Sequence, residues 1–183
     1  AWQHIAKTSY DDTIITRYGL EIKNFFFSLG SRVKHKNLKW IVAAALQNPE
    51  SIFVVSGENS YSKNFNKLQF PTNIIFTGYI TDGQIRSLMA NCKAFIFPSI
   101  YEGFGIPPME AMAENAPVIV SNKACMPEIY GKSVHYIDPY NYKNINIENI
   151  LLEKVKNPEL ILEKYSWKKS ADKFYNLLKK IDN

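Results

Sequence analysis

Glu102 and Glu110 stand eight positions apart in the run PSIYEGFGIPPMEAMAEN, which extends from Pro98 to Asn115. Between them lie two glycines, Gly103 and Gly105, and two prolines, Pro107 and Pro108. The glycines permit positive φ and let a ligand come close to the backbone. A proline at the first position of a helix loses no hydrogen bond, because the N–H there has no partner within the helix. The run therefore reads as a loop that opens a helix, with Pro107 or Pro108 first and Glu110 in the first turn. The free N–H groups at such a start bind anions. Two carboxylates beside an anion would repel it unless they have other work, and a carboxylate accepts hydrogen bonds from hydroxyls. A nucleotide sugar brings both a diphosphate and hydroxyls. For Glu110 alone the plainer alternative is complementing the helix dipole, worth about 0.3–1 kcal/mol.

These residues need a frame. Short apolar runs occur at 24–30, 51–57, 73–78, 94–99, 117–121 and 134–138. Runs of this kind without polar alternation suit strands buried on both faces. Helical segments separate them. Residues 38–48 are rich in helix formers and stop before Pro49, and Ile85, Leu88 and Met89 recur at helical spacing behind a cap at Thr81 or Asp82. The expected fold is α/β, a Rossmann-like parallel sheet of about six strands flanked by helices. In such sheets ligands bind beyond the carboxyl ends of the strands, which is where Gly30, Gly57, Gly78, Pro98–Glu110 and Ser121 fall. Residues 57–73 form a polar excursion, expected as loop. Residues 140–167 begin a helical tail. It ends in an amphipathic helix capped by Ser166, whose apolar stripe is Trp167, Ala171, Phe174, Leu177, Leu178 and Ile181.

With 183 residues, 46% hydrophobic and 21% charged, the chain has room for one globular domain with a sizeable core. No apolar run approaches the ~18–20 residues of a membrane span. The start, AWQHIAKTSYDD, lacks the shape of a signal peptide, and the missing initiator Met suits a piece of a longer chain. Cys92 and Cys125 are the only cysteines; they are expected as buried free thiols in a reducing, cytoplasmic compartment. His4, His35 and His135 are too scattered for a metal site. The net charge of +5 admits nucleic acid, an anionic membrane surface or an acidic ligand, but a solvated Lys-rich surface accounts for most of it. The aromatics, such as Phe25, Phe26, Phe27, Phe95 and Phe97, fall in the strands and read as core, so nucleic acid is not an expected partner.

The run FPSIYEGFGIPPMEAMAENAPVIVSNKACMPEIYG closely resembles the signature region of retaining glycosyltransferase family 4, of GT-B architecture. It holds the family's pair of glutamates with seven residues between them, the Gly-Phe-Gly turn at 103–105 and a later Ser121, Asn122, Pro127 and Glu128. Similarity extends over roughly residues 21–181, including a first strand and basic loop in FFFSLGSRVKHKNLKWIVAA. The resemblance implies that Glu102 meets the donor sugar's hydroxyls and Glu110 the ribose hydroxyls. Backbone amides of Phe104, Gly105 and Ile106 would meet the sugar or diphosphate, and Tyr79 and Ile80 the base. Gly30, Ser31 and Gly103 complete the donor set. Lys36 matches the family's phosphate-binding lysine and Arg32 lies close to its arginine; with Glu102 they form the catalytic group, in which Glu102 holds the sugar rather than attacking it.

It further implies retention of configuration, no cofactor or metal, and a donor linked to UDP, GDP, ADP or dTDP. Residues 1–20 would be the joint between two halves, 21–163 the nucleotide-sugar-binding domain and 164–183 the closing helix. The N-terminal acceptor domain, which would bind a glycan or lipid-linked acceptor, would be absent, so the chain alone would be inactive. The basic balance suits work at the cytoplasmic face of a membrane. Asn115 stands where many members have glycine, a position Asn tolerates. A nucleotide-sugar epimerase of the same architecture and a non-catalytic nucleotide-binding module stay open as alternatives.

Overall fold

A computed structural model describes residues 2–30, 33–57 and 70–181. Six strands, β1 (Phe25–Leu29), β2 (Ile52–Ser56), β3 (Ile74–Gly78), β4 (Ala94–Phe97), β5 (Val118–Ser121) and β6 (His135–Ile137), form one sheet in the order β3-β2-β1-β4-β5-β6. Every neighbouring pair is parallel. The fold is thus the α/β sheet expected, and each strand falls within the apolar run that foretold it.

Alternation along the strands builds two cores. Phe25, Phe27, Val54, Phe95, Phe97, Val118 and Val120 face one side. There they meet α1 (Thr13–Tyr18), α3 (Asp82–Asn91), α4 (Ile106–Ala113) and α5 (Met126–Tyr130) through Ile14, Leu88, Met89, Met109, Met112 and Ile129. Phe26, Phe53, Val55, Ile96 and Ile119 face the other side, against α2 (Leu38–Gln47) and α6 (Ile147–Leu151). Burial on both faces explains why the strands lack polar alternation. Aromatic pairs knit the centre: the Phe26 and Phe53 rings stack at 5.3 Å and those of Phe27 and Phe95 meet edge-on at 5.6 Å.

Local chemistry sets the helix ends. The Thr81 hydroxyl accepts from the Gln84 N–H at 3.3 Å while the Gln84 side chain accepts from the Thr81 N–H, a capping box that starts α3. Asn115 takes the left-handed conformation after α4, with φ of 59°, as expected of an asparagine standing in for glycine. Residues 2–18 pack onto the domain, with Ile5 and Ile14 buried. The polar excursion lies largely in residues 58–69, outside the described residues. Cys92 is buried as expected, whereas Cys125 is only half-buried, because it packs on the margin of the core beside the loop at Glu102. The tail forms α7 (Glu159–Lys164) and α8 (Trp167–Ile181), with Ser166 accepting from the Lys169 N–H at 3.4 Å. The stripe of α8 is exposed along its length. Among the described residues no helix is long and apolar enough to cross a membrane.

His135 opens β6 as a buried residue. Burial disfavours its charged form and lowers its pKa. A base whose folded pKa is depressed adds stability that is present above the unfolded value of about 6.5 and is lost as pH falls through the folded value. The urea midpoint of the chain is therefore expected to fall between pH 7.5 and 5 more steeply than that of His135→Gln; parallel profiles would contradict this.

Candidate functional site

Chain connections leave β1 and β4 toward opposite sides of the sheet, so a crevice opens beyond their carboxyl ends. The segment after β1 brings Lys36 to it. A Cβ on Gly30 would come within 3.3 Å of Lys36 Cδ, so the glycine leaves the lysine stem its room. Lys36 closes a 3-10 turn (Lys34–Lys36), and Asn37 follows at φ of 57° before α2 begins. Asn37 is buried. Its amide donates to the carbonyls of Pro98 at 3.1 Å and Pro139 at 2.8 Å, and its oxygen accepts from the Tyr142 hydroxyl. The Ile100 N–H also donates to the His35 carbonyl at 2.8 Å. The turn is thus tied to the segments that leave β4 and β6.

The consequence is a cross-crevice ion pair. Lys36 Nζ lies 2.7 Å from Glu102 Oε1 and 4.7 Å from the centre of the Phe97 ring. Both side chains are partly exposed. The ammonium thus sits between a carboxylate and an aromatic face, both of which attract it.

The loop from Glu102 to Ile106 is locked from behind by α5. Cys125 Sγ donates to the Glu102 carbonyl at 3.3 Å, and the buried Tyr130 hydroxyl donates to the Gly105 carbonyl. A trans peptide points its N–H away from its C=O, so these contacts turn the N–H groups of Gly103 and Ile106 away from α5. Gly105 sits at φ of 79°, and a Cβ there would overlap the Met126 methyl. A Cβ on Gly103 would meet nothing within 4 Å. Phe104 packs edge-on against Tyr165 at 5.1 Å.

Two details differ from the sequence reading. Helix α4 starts at Ile106 with Gly105 as its cap, so Pro107 is second, not first. The glycine's left-handed turn lets the helix begin one residue earlier, and Ile106 keeps its N–H. Glu110 accordingly falls in the second turn, beyond the reach of the dipole argument. It is 5% exposed, and its Oε1 lies 2.9 Å from His4 Nε2. Burial raises its pKa and the neighbouring Asp82 adds to this, while His4 opposes both.

Lys36 and Glu102 are therefore together, flanked by Gly30 and by Gly103, Phe104, Gly105 and Ile106, while Glu110 engages His4. Tyr79 and Ile80 follow β3, at the edge of the sheet. Tyr79 is 84% exposed, whereas the Ile80 side chain is buried. Ser31 and Arg32 lie outside the described residues. Sequence reasoning missed Asn37, Met126, Tyr130 and His4. The first follows Lys36 directly and is of a type that adopts positive φ. Met126 and Tyr130 lie in the ACMPEIYG stretch that carried the resemblance.

The sequence and the fold have known counterparts. O-antigen chain mannosyltransferase RfbU of Salmonella typhimurium is 29% identical over 130 residues, 68% of this chain and 37% of that protein. Sucrose-phosphate synthase from Thermosynechococcus elongatus superposes with a TM-score of 0.76 at 18% identity, over 97% of this chain and 50% of the synthase. Anabaena HepE, solved in complex with UDP-glucose, superposes with a TM-score of 0.61 at 22% identity, over 78% of this chain and 42% of HepE. The chain spans half or less of the length of each. The family model for glycosyl transferases group 1 matches residues 12–179, and the chain belongs to that family.

Proposed function

We propose that this chain is the donor-binding half of a retaining glycosyltransferase of family 4. It would bind a nucleotide-diphosphate sugar in the crevice between β1 and β4, for transfer to an acceptor held by another domain. The observation that carries the reading is the Lys36–Glu102 pair across that crevice, beside the Gly103–Ile106 amides. In the donor-free state the two charges neutralise each other. A diphosphate is the stronger partner for Lys36, and the exchange frees Glu102 to accept from sugar hydroxyls. The names of relatives support this: RfbU is a mannosyltransferase and HepE was crystallised with UDP-glucose.

Cleaving the bond between the anomeric carbon and the diphosphate places negative charge on the leaving phosphate. Lys36, Arg32 and the amides at the start of α4 are the donors assigned to that charge, without a metal. Their placement before the reaction is what lowers the barrier, since nothing must reorganise as the charge develops. Donor chemistry of this kind fits a cytoplasmic enzyme making a polysaccharide from a nucleotide-linked precursor.

Calorimetric titration with UDP-, GDP-, ADP- and dTDP-sugars tests the reading. At least one is expected to bind, and Lys36→Ala to weaken it about 10- to 100-fold, the loss of one charge-assisted hydrogen bond. In an enzyme that includes the acceptor domain the same change should cost about 100- to 1000-fold in rate. Binding by none of the four, or unaltered affinity in the variant, refutes the assignment.

The glycines give a second test. Gly103→Ala meets no protein atom, so it should unfold at the wild-type temperature yet weaken donor binding. Gly105→Ala combines a left-handed φ with the Met126 clash and should lose about 1–3 kcal/mol of stability. Wild-type donor affinity in Gly103→Ala would show that no ligand approaches that backbone.

A further inference from the structure

We infer that His4 is a positioning residue of the donor site, holding the buried Glu110 carboxylate in place as an acceptor for the ribose hydroxyls. The inference rests on the donor-binding reading and extends it to a segment, residues 2–11, that the reading leaves without a role.

The contact itself is short: His4 Nε2 lies 2.9 Å from Glu110 Oε1. The carboxylate is almost fully buried on α4, whereas the His4 side chain is 54% exposed and so stands at the rim. A buried carboxylate without a partner is costly and takes up a proton, which would turn it from an acceptor into a donor. An imidazole N–H on one oxygen offsets part of that cost. It does not use the group up, because a carboxylate offers about four acceptor sites.

The segment that carries His4 is built onto the domain. Ile5, next in sequence, is buried, and a 3-10 turn (Ile5–Lys7) lets the Lys7 N–H donate to the His4 carbonyl at 3.1 Å. Upstream, Trp2 Nε1 donates to the Leu162 carbonyl at 3.0 Å. Downstream, Arg86 of α3 donates to the Thr8 carbonyl and lies over the Tyr10 ring at 4.1 Å. The Asp11 N–H donates to the Gly83 carbonyl at 3.2 Å, and a Cβ on Gly83 would lie 2.8 Å from the Ser9 carbonyl oxygen, so only glycine permits this approach.

A neighbour on the same helix gives the contrast. Glu114, one turn beyond Glu110, accepts from Arg86 Nε at 2.9 Å on one oxygen and from the Tyr10 hydroxyl at 2.6 Å on the other. Glu114 is thereby committed to the fold on both oxygens. Glu110 is held by His4 on Oε1, from a residue at the surface, which is the arrangement of a carboxylate kept for a ligand.

The test is ribose discrimination. UDP and GDP, each with its 2′-deoxy and 3′-deoxy analogues, are titrated into wild type, His4→Ala, His4→Gln and Glu110→Ala. Wild type is expected to prefer the ribose form over a deoxy form by about tenfold, one hydrogen bond's worth. Glu110→Ala and His4→Ala should both bind ribose and deoxy forms nearly alike, and His4→Gln, whose amide can donate from the same place, should restore the preference. A His4→Ala that discriminates as wild type does, that weakens both forms equally, or that binds the ribose form more tightly overturns the inference while leaving the donor-binding reading intact. Wild type that binds neither UDP nor GDP overturns it too, and then it is the donor-binding reading for those nucleotides that has failed. Should His4→Ala unfold, His4→Leu, which fills the same place without a donor, takes its part: it must lose the preference that His4→Gln keeps, and a His4→Leu that discriminates as wild type does overturns the inference.

Discussion

A lysine and a glutamate from distant parts of the chain meet at 2.7 Å, and this contact depends on the order of the strands. Were β1 and β4 not neighbours, the turn after one and the loop after the other could not face each other. The sheet sets the neighbourhood and Asn37 sets the fine position. Its amide group bridges the carbonyls that follow β4 and β6, so the turn bearing Lys36 is fixed relative to both. Losing that amide would leave buried carbonyls unpaired, at a cost of about 1–3 kcal/mol each. The charge pair then needs little of its own energy to be well placed.

Such a pair is a poor source of stability, since a partly exposed ion pair contributes about 0–1 kcal/mol. Under the proposed function its value lies in exchange. Both groups stay desolvated only in part, so an incoming anion can displace the carboxylate without uncovering a buried charge. The neighbouring carboxylates show the range of uses one helix can hold. Glu114 is spent on structure, while Glu110 is buried and carried by a rim histidine.

Much of this was legible in the residues. Six apolar runs without alternation gave six strands, because a strand covered on both faces has no reason to alternate. The turn at Gly103–Gly105 was legible because two glycines ahead of two prolines suit a loop that opens a helix. The start of α4 was misread by one residue. Two prolines drew attention as the first helical position, but Gly105 turns left-handed and Ile106 takes it. Glu110's partner was not legible, since nothing in the spacing of His4 and Glu110 says that the N-terminal segment folds back onto α4. Nor did the α5 lock declare itself, because a tyrosine that reaches a backbone carbonyl looks in sequence like any core tyrosine. The stripe of α8 was plain as a pattern, but periodicity does not say what a stripe will touch.

The lock has a bearing on how such a domain can be re-engineered. The loop after β4 does not hold its own shape: Cys125, Met126 and Tyr130, borrowed from the crossover between β5 and β6, decide which way its peptide planes face. The transplantable module is therefore two separated stretches of chain rather than one. A graft of residues 98–113 alone would carry Glu102 and its glycine turn into a new host and leave behind the brace that orients the loop.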